Sequence, residues 1–251
     1  MLVAAGRGER LGAGAPKQFR ALAGRPLFAH SLRLFDALAW VERIALVLPP
    51  GGLPADLRDE LTLLRHEVRC VEGGARRQDS VAAGLAALCE PAAGLPSTSS
   101  LQPPASSLEV VLVHDVARPF AEPALIERLA RVALESGGGL LAARAADTVK
   151  RARAGAGELG GPPRVAETLD RRTIWLAQTP QAIRGDLVAR AIAELRRPDL
   201  DVTDEAMLLE SWGIEVALVE SPPENFKITT AADFARAAAL MSDPTRAATR
   251  S

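Results

Sequence analysis

The sequence predicts an α/β fold, a mostly parallel sheet flanked by helices, from three observations. Short, continuous apolar runs such as Ile44-Ala45-Leu46-Val47-Leu48 have the pattern of strands covered on both faces. Up to Ala143 these runs alternate with segments of helical periodicity, which implies parallel strands joined by right-handed crossovers. The chain has 251 residues, 48% of them hydrophobic, which is enough for a sizeable core within the range of one α/β domain, and 1–251 is read as a single unit. Aromatics make up only 4% and Tyr is absent, so Ala, Leu and Val must build that core.

In order, Met1 to Ala5 reads as a buried strand, and a loop with glycines at 6, 8, 12 and 14 breaks from it. Pro26 to Leu38 has apolar residues at 27, 28, 32, 34, 35 and 38, a helical spacing opened by proline. Strand 44–48 follows, then a helix over 54–64 and a strand at Val68 to Val71. Gly73-Gly74-Ala75-Arg76-Arg77-Gln78-Asp79-Ser80-Val81 leads into a helix that runs to Leu88. The stretch 91–107 is Ala, Gly, Pro and Ser with almost no charge, the composition of a flexible insertion. Strand Val110 to Val113, helix 123–135 and strand Gly139 to Ala143 continue the alternation. Between 144 and 175 it fails: glycines, prolines and mixed charges show no helical period, as in a lid or an arm. Helices at 185–195 and 203–211, a strand at 214–219 and a helix from Thr230 to Met241 close the pattern, and 242–251 is expected to be a disordered tail.

Charge narrows the function. Thirty basic side chains balance 31 acidic ones for a net charge of −1, against the net basic face that nucleic acid or a membrane surface demands. Cys70 and Cys89 form neither a disulfide framework nor a metal motif, and no apolar run is long enough to span a membrane. No signal-peptide pattern opens the sequence, so the expected location is cytoplasmic.

Ligands of open parallel sheets bind beyond the carboxyl ends of the strands, where the polar clusters of this chain fall. Arg7, Arg10 and Lys17 give the first loop a positive charge suited to a polyphosphate, and its glycines let backbone N–H groups approach phosphate oxygens. Its spacing, G-x-G-x-x-x-G, is neither the dinucleotide fingerprint nor the phosphate loop of ATPases. A glycine turn with surface charges is the plain alternative. Gly73 to Ser80, Asp115 with Arg118, and Asn225 to Thr229 occupy other strand ends. Taken singly, Asp115 suits a divalent ion, a ribose hydroxyl or a helix cap, Thr203-Asp204-Glu205 suits a helix cap, and His114 reads as structural. Together, Arg10 and Lys17 suit a triphosphate attacked at its α-phosphorus, while Arg118, Arg171 and Lys227 are cations enough for a second phosphorylated partner.

The strings Ala-Ala-Gly-x-Gly-x-Arg, Pro-Lys-Gln, Gly-Gly-x-x-Arg-Gln-x-Ser-Val, Val-His-Asp-x-Ala-Arg-Pro, Asp-Thr-x-Lys, Gln-Thr-Pro-Gln, Thr-Asp-Glu-Ala and Asn-x-Lys-Ile-Thr-Thr stand in that order between about residues 3 and 235. In this combination the chain resembles the 2-C-methyl-D-erythritol 4-phosphate cytidylyltransferases of the non-mevalonate isoprenoid pathway. The resemblance implies a Rossmann-like nucleotidyltransferase fold, a homodimer with 144–175 as its dimerisation arm, and Mg²⁺ carried with CTP. It further implies that Arg10 and Lys17 stabilise the transition state. Ala4, Ala5, Gly6, Gly74, Arg77, Ser80 and Asp115 would hold the nucleotide. Arg118, Thr148, Arg171, Thr179, Asp204, Lys227 and Thr229 would line the methylerythritol phosphate site. A cytidylyltransferase for another polyol phosphate, such as ribitol 5-phosphate, shares this loop logic. A nucleotide-binding regulator without catalysis is opposed by the presence of both Arg10 and Lys17.

Overall fold

The computed structural model describes residues 1–6, 15–90, 108–153 and 162–243. Arg10, the insertion 91–107, the tip of the arm and most of the tail therefore lie outside the described residues.

The apolar runs become the middle of a sheet. Strands β1 (Leu2–Val3), β4 (Ile44–Leu48), β5 (Val68–Glu72) and β6 (Val110–Asp115) are parallel, with Leu2 level with both Leu46 and His114. β2 (Ala21–Leu22) and β3 (Arg25–Pro26) form a small separate ladder. Strands β7 (Gly138–Arg144), β10 (Trp175–Arg184) and β11 (Ala217–Glu220) complete seven strands in the order β11-β7-β10-β6-β1-β4-β5. β10 runs antiparallel to both β6 and β7, so the sheet is mixed but mostly parallel.

Each face of the sheet has its own core, and alternation along β4 shows why its whole run is apolar. Ile44, Leu46 and Leu48 pack with α1 (Leu27–Asp36) and α4 (Pro123–Ser136) through Phe28, Leu32, Ile126 and Leu129. Ala45 and Val47 point the other way, to α3 (Arg77–Cys89) and α5 (Val188–Leu195) through Val81, Leu85, Val188 and Leu195. Each large side chain so buried contributes about 1.5–3 kcal/mol. Gly84 lets α3 lie close on the sheet, since a Cβ there would sit 2.0 Å from Met1 Sδ and 2.7 Å from Val47 Cγ2.

Several expectations need correction. The helix expected over 54–64 is a 3₁₀ turn (Ala55–Leu57) followed by the four-residue α2 (Asp59–Thr62), with no buried residue in either to hold a longer helix. Residues 144–175 are not wholly irregular: β8 (Lys150–Ala152) and β9 (Val165–Thr168) pair as an antiparallel hairpin. Trp175, at the end of the expected dimerisation arm, packs against Leu140, Ala142 and Ala206 of its own chain, with the Arg144 guanidinium 4.3 Å above its ring. Val165 and Leu176 each remain 55% exposed. The sequence reading contains no β10. Pro180 interrupts that run, and the register shifts between Ala177 and Gln181, so the strand carries its proline where the ladder is irregular. The remaining helices, α6 (Glu205–Glu210) and α7 (Ala231–Met241), fall where helical spacing put them.

Candidate active site

A cleft of 560 Å³ opens at the carboxyl ends of β1, β5 and β6. Ala4, Ala5 and Gly6 leave β1, Gly73, Gly74, Arg77 and Ser80 come from the β5–α3 turn, and Asp115 ends β6. Lys17 and Lys227 reach the cleft from segments 211 and 112 residues away from their partners in sequence, Ile228 and Asp115. Nine of the predicted residues thus line one cleft: Ala4, Ala5, Gly6, Lys17, Gly74, Arg77, Ser80, Asp115 and Lys227.

The β5–α3 turn is shaped by close approach. A Cβ on Gly73 would lie 2.5 Å from Ala5 Cβ and 2.7 Å from Ser80 Oγ, so only glycine lets this turn close against the end of β1. Ser80 Oγ accepts from Gly74 N–H at 3.1 Å, and Asp79 caps α3 by accepting from Arg76 N–H at 3.1 Å. The turn therefore presents backbone at a helix N-terminus, a setting that favours anions.

Charge in the cleft is paired and partly buried. Lys227 Nζ donates to Asp115 Oδ2 at 2.6 Å. Burial works against ionisation of Asp115, but Lys227, Arg77 and Arg118 outweigh it and hold its carboxyl below the usual carboxylate range. Arg77 forms a two-pronged pair with Glu205, at 2.7 and 3.0 Å, and Glu205 is only 1% exposed. Burial lowers the Arg77 pKa, but Glu205, with Asp115 and Asp204 behind it, drives it above its ordinary value. For Glu205 burial dominates and raises the pKa despite Arg77. The geometry of two parallel N–H···O bonds argues for the charged pair.

Behind the cleft, His114 fixes the floor. Its Nε2 lies 3.1 Å from the Arg118 carbonyl, which can only accept, so Nε2 carries the proton. Nδ1 then accepts from Thr179 Oγ1 at 3.2 Å, while Thr179 Oγ1 accepts from Asp115 N–H at 3.0 Å. Full burial pushes the His114 pKa down to about 3, so the ring is neutral and structural. Thr179 thus sits beneath Asp115 rather than on the cleft surface.

Arg118 is folded into the same frame: Nη1 donates to Asn225 O at 2.7 Å and Nη2 to Ala177 O at 3.3 Å. Asp204 caps α6 by accepting from Met207 N–H at 2.9 Å, and its second oxygen accepts from Gln181 Nε2 at 3.1 Å. Thr229 bonds Asp233 through both N–H and Oγ1, at 2.9 and 2.8 Å, just ahead of α7. Thr148 and Arg171 stand on the exposed arm, where Arg171 Nη1 donates to Ala146 O at 2.6 Å, and neither lines this cleft. Arg10 lies outside the described residues.

Sequence reasoning missed Glu205 as the partner of Arg77, because a carboxylate at a helix start reads as a cap and the two lie 128 residues apart. It also missed the amide brace formed by Asn225 Nδ2 with Gln178 Oε1 and Thr179 O, at 2.9 and 3.0 Å. The strings Gln-Thr-Pro-Gln and Asn-x-Lys held those residues, but only their pairing across β10 shows the role.

The chain is 44% identical, over 97% of its length, to the bifunctional enzyme IspD/IspF of Anaeromyxobacter dehalogenans, and spans 57% of that relative. It covers a similar share, 56%, of a 39% identical bifunctional relative from Desulforudis audaxviator, so it spans little more than half the length of these curated relatives. It is 40% identical to the 2-C-methyl-D-erythritol 4-phosphate cytidylyltransferase of Chromobacterium violaceum, with 96% of each chain covered. The crystal structure of the cytidylyltransferase of that name from Thermus thermophilus superposes with a TM-score of 0.68 at 33% identity, covering 95% of this chain and 96% of the other. The 4-diphosphocytidyl-2C-methyl-D-erythritol synthase structure from Anaerococcus prevotii gives 0.73 at 25% identity, covering 96% and 94%. The model of one family matches residues 1–243, and the chain belongs to that family, the 2-C-methyl-D-erythritol 4-phosphate cytidylyltransferases.

Proposed function

We propose that this chain transfers CMP from CTP to 2-C-methyl-D-erythritol 4-phosphate, giving 4-diphosphocytidyl-2-C-methyl-D-erythritol and pyrophosphate. The observation that carries the reading is the convergence of Lys17, Arg77, Asp115, Lys227 and the Gly73–Gly74 turn on one cleft in a member of this family. A phosphate oxygen of the alcohol attacks the α-phosphorus in line. A new P–O bond forms as the bond from the α-phosphorus to its bridging oxygen breaks, and the electron pair leaves with pyrophosphate. Charge builds on the non-bridging oxygens, and fixed cations aimed at them are the main catalytic device for such transfers.

In this reading Lys17, with Arg10, meets that charge. Ala4, Ala5, Gly6, Gly74, Arg77, Ser80 and Asp115 hold CTP. Lys227, Arg118, Asp204 and Thr229 serve the methylerythritol phosphate from the β6–β10 side, with Thr179 supporting Asp115 from beneath, and Thr148 and Arg171 reach it from the arm of a second copy in a homodimer. Among the described residues no three Asp, Glu, His or Cys side chains gather as a metal cage. Asp115, the carboxylate at the end of β6 in the cleft, would hold Mg²⁺ carried in with CTP. That ion would neutralise phosphate charge. Among the described residues no helix is long and apolar enough to cross a membrane, and both cysteines are free thiols, which suits the cytoplasm. The test is incubation with CTP, Mg²⁺ and methylerythritol phosphate, following pyrophosphate release. Release with ribitol 5-phosphate in its place, and none with methylerythritol phosphate, overturns the substrate assignment.

A further inference from the structure

Gln18 lines the cleft beside Lys17, is 1% exposed, and has no hydrogen-bond partner on either Oε1 or Nε2. None of the other described side chains lining the cleft has a buried polar atom in that state. Buried polar atoms are normally paired, and an orphan pair on one amide is a cost that an apolar side chain of the same size would remove. The backbone around it is firmly held. Phe19 N–H donates to Pro16 O at 2.9 Å, Arg20 N–H donates to Lys17 O at 3.2 Å, and the Phe19 ring packs edge-on against Phe28 with centroids 6.0 Å apart. Lys17 itself is anchored on Ile228 O at 3.0 Å. The turn is thus fixed while the amide it carries into the cleft wall has no bond to give up. Engaging a ligand there breaks no existing hydrogen bond of the amide.

From this geometry we propose that Gln18 is a further nucleotide-binding residue, whose Nε2 donates to a phosphate oxygen of the bound triphosphate. An N–H donor next to Lys17, in the cleft that the anion-favouring turn at Gly73–Gly74 also lines, suits phosphate oxygens. A neutral amide adds a directed bond there without adding to the repulsion among Lys17, Arg77 and Lys227. The assignment rests on the cytidylyltransferase reading only for the identity of the nucleotide.

The test uses Gln18→Met, close in volume and shape, with Gln18→Leu as a second variant of the full chain. Thermal unfolding is followed without ligand, with CTP and Mg²⁺, and with cytidine, alongside the KM for CTP. Without ligand both variants are expected to unfold at or above the wild-type Tm. The KM for CTP and the CTP concentration giving half the maximal Tm shift should each rise about tenfold, the loss of one hydrogen bond to a charged group. The response to cytidine should not change. A ligand-free Tm several degrees lower in both variants means that the fold uses the amide, and overturns the proposal. So does an unchanged response to CTP, or an equal loss of response to cytidine, which places the amide at the nucleoside. If the wild type itself gives no shift with CTP, the cytidylyltransferase reading falls with it. If the wild type responds and Gln18→Met responds equally, only the Gln18 assignment falls.

Discussion

Lys17, at the cleft, and His114, sealed at 0% exposure, have surroundings that give them different work. Lys17 is exposed enough to meet a ligand and is steadied by the Ile228 carbonyl. If it meets charge that exists only in the transition state, Lys17→Ala should lower kcat by on the order of 10²- to 10³-fold and leave the KM for CTP nearly unchanged. A kcat within about threefold of wild type, read by pyrophosphate release, removes Lys17 from the mechanism. His114 is sealed in, and its role shows in stability. Its folded pKa of about 3 lies below its ordinary 6.5, so in the pH range between them the unfolded chain binds the extra proton. Stability is therefore full above pH 6.5 and falls as the pH drops toward 3. Urea unfolding should show a loss on the order of 2 kcal/mol between pH 7 and pH 5 from this group alone. His114→Gln should flatten that slope, and an unchanged slope would assign it to other groups. The sequence reading of His114 as structural agrees with its full burial. It could not reveal that the ring holds Thr179 under Asp115, because that depends on β10 lying beside β6.

At the scale of elements, what was legible followed the strength of local signals. Strand β4 and helices α1 and α4 were plain because an uninterrupted apolar run or a clear helical period specifies each one. Strand β10 was hidden because its middle is Gln178-Thr179-Pro180-Gln181, where Gln178 bonds Asn225 ahead of α7 and Gln181 bonds Asp204 at the start of α6, around a proline that interrupts the ladder. The short α2 was overcalled for the opposite reason, since apolar spacing without a buried face to pack carries little stability. The Gly-Gly turn before α3 was recognised as a site, but not for its real constraint, which is close approach to Ala5 just beyond β1. Gly73→Ala tests that constraint. The added Cβ, 2.5 Å from Ala5 Cβ and 2.7 Å from Ser80 Oγ, has to push apart two walls of the cleft. The variant should lose about 1–3 kcal/mol in urea unfolding, the usual effect of overpacking, and its KM for CTP should rise. Wild-type values for both would show that the turn yields without strain and that its glycine is incidental.

For the molecule as a whole, the sheet brings separate strand ends to one cleft, yet two predicted substrate residues, Thr148 and Arg171, stand away from it on the arm. The arm is a thin hairpin, β8 with β9, whose described residues are almost all exposed, Val165 among them at 55%. Leu176, at the start of β10, is equally exposed beside it. Such a hairpin has no core of its own, and a two-fold dimer that pairs arm with arm would cover these side chains. It would also carry Arg171 toward the neighbouring cleft, so that each active site draws residues from two chains. Arg171→Ala and Lys17→Ala should then each be nearly inactive alone and recover activity when mixed and allowed to exchange subunits. In a mixed dimer one cleft receives both defects and the other receives neither. Random exchange makes half the dimers mixed, so roughly a quarter of wild-type activity should return if the sites act independently. The measurement is pyrophosphate release after exchange, with heterodimer formation verified by differently tagged chains. Verified heterodimers without any gain would place Arg171 in the service of its own subunit, and the shared-site account of the arm would be wrong.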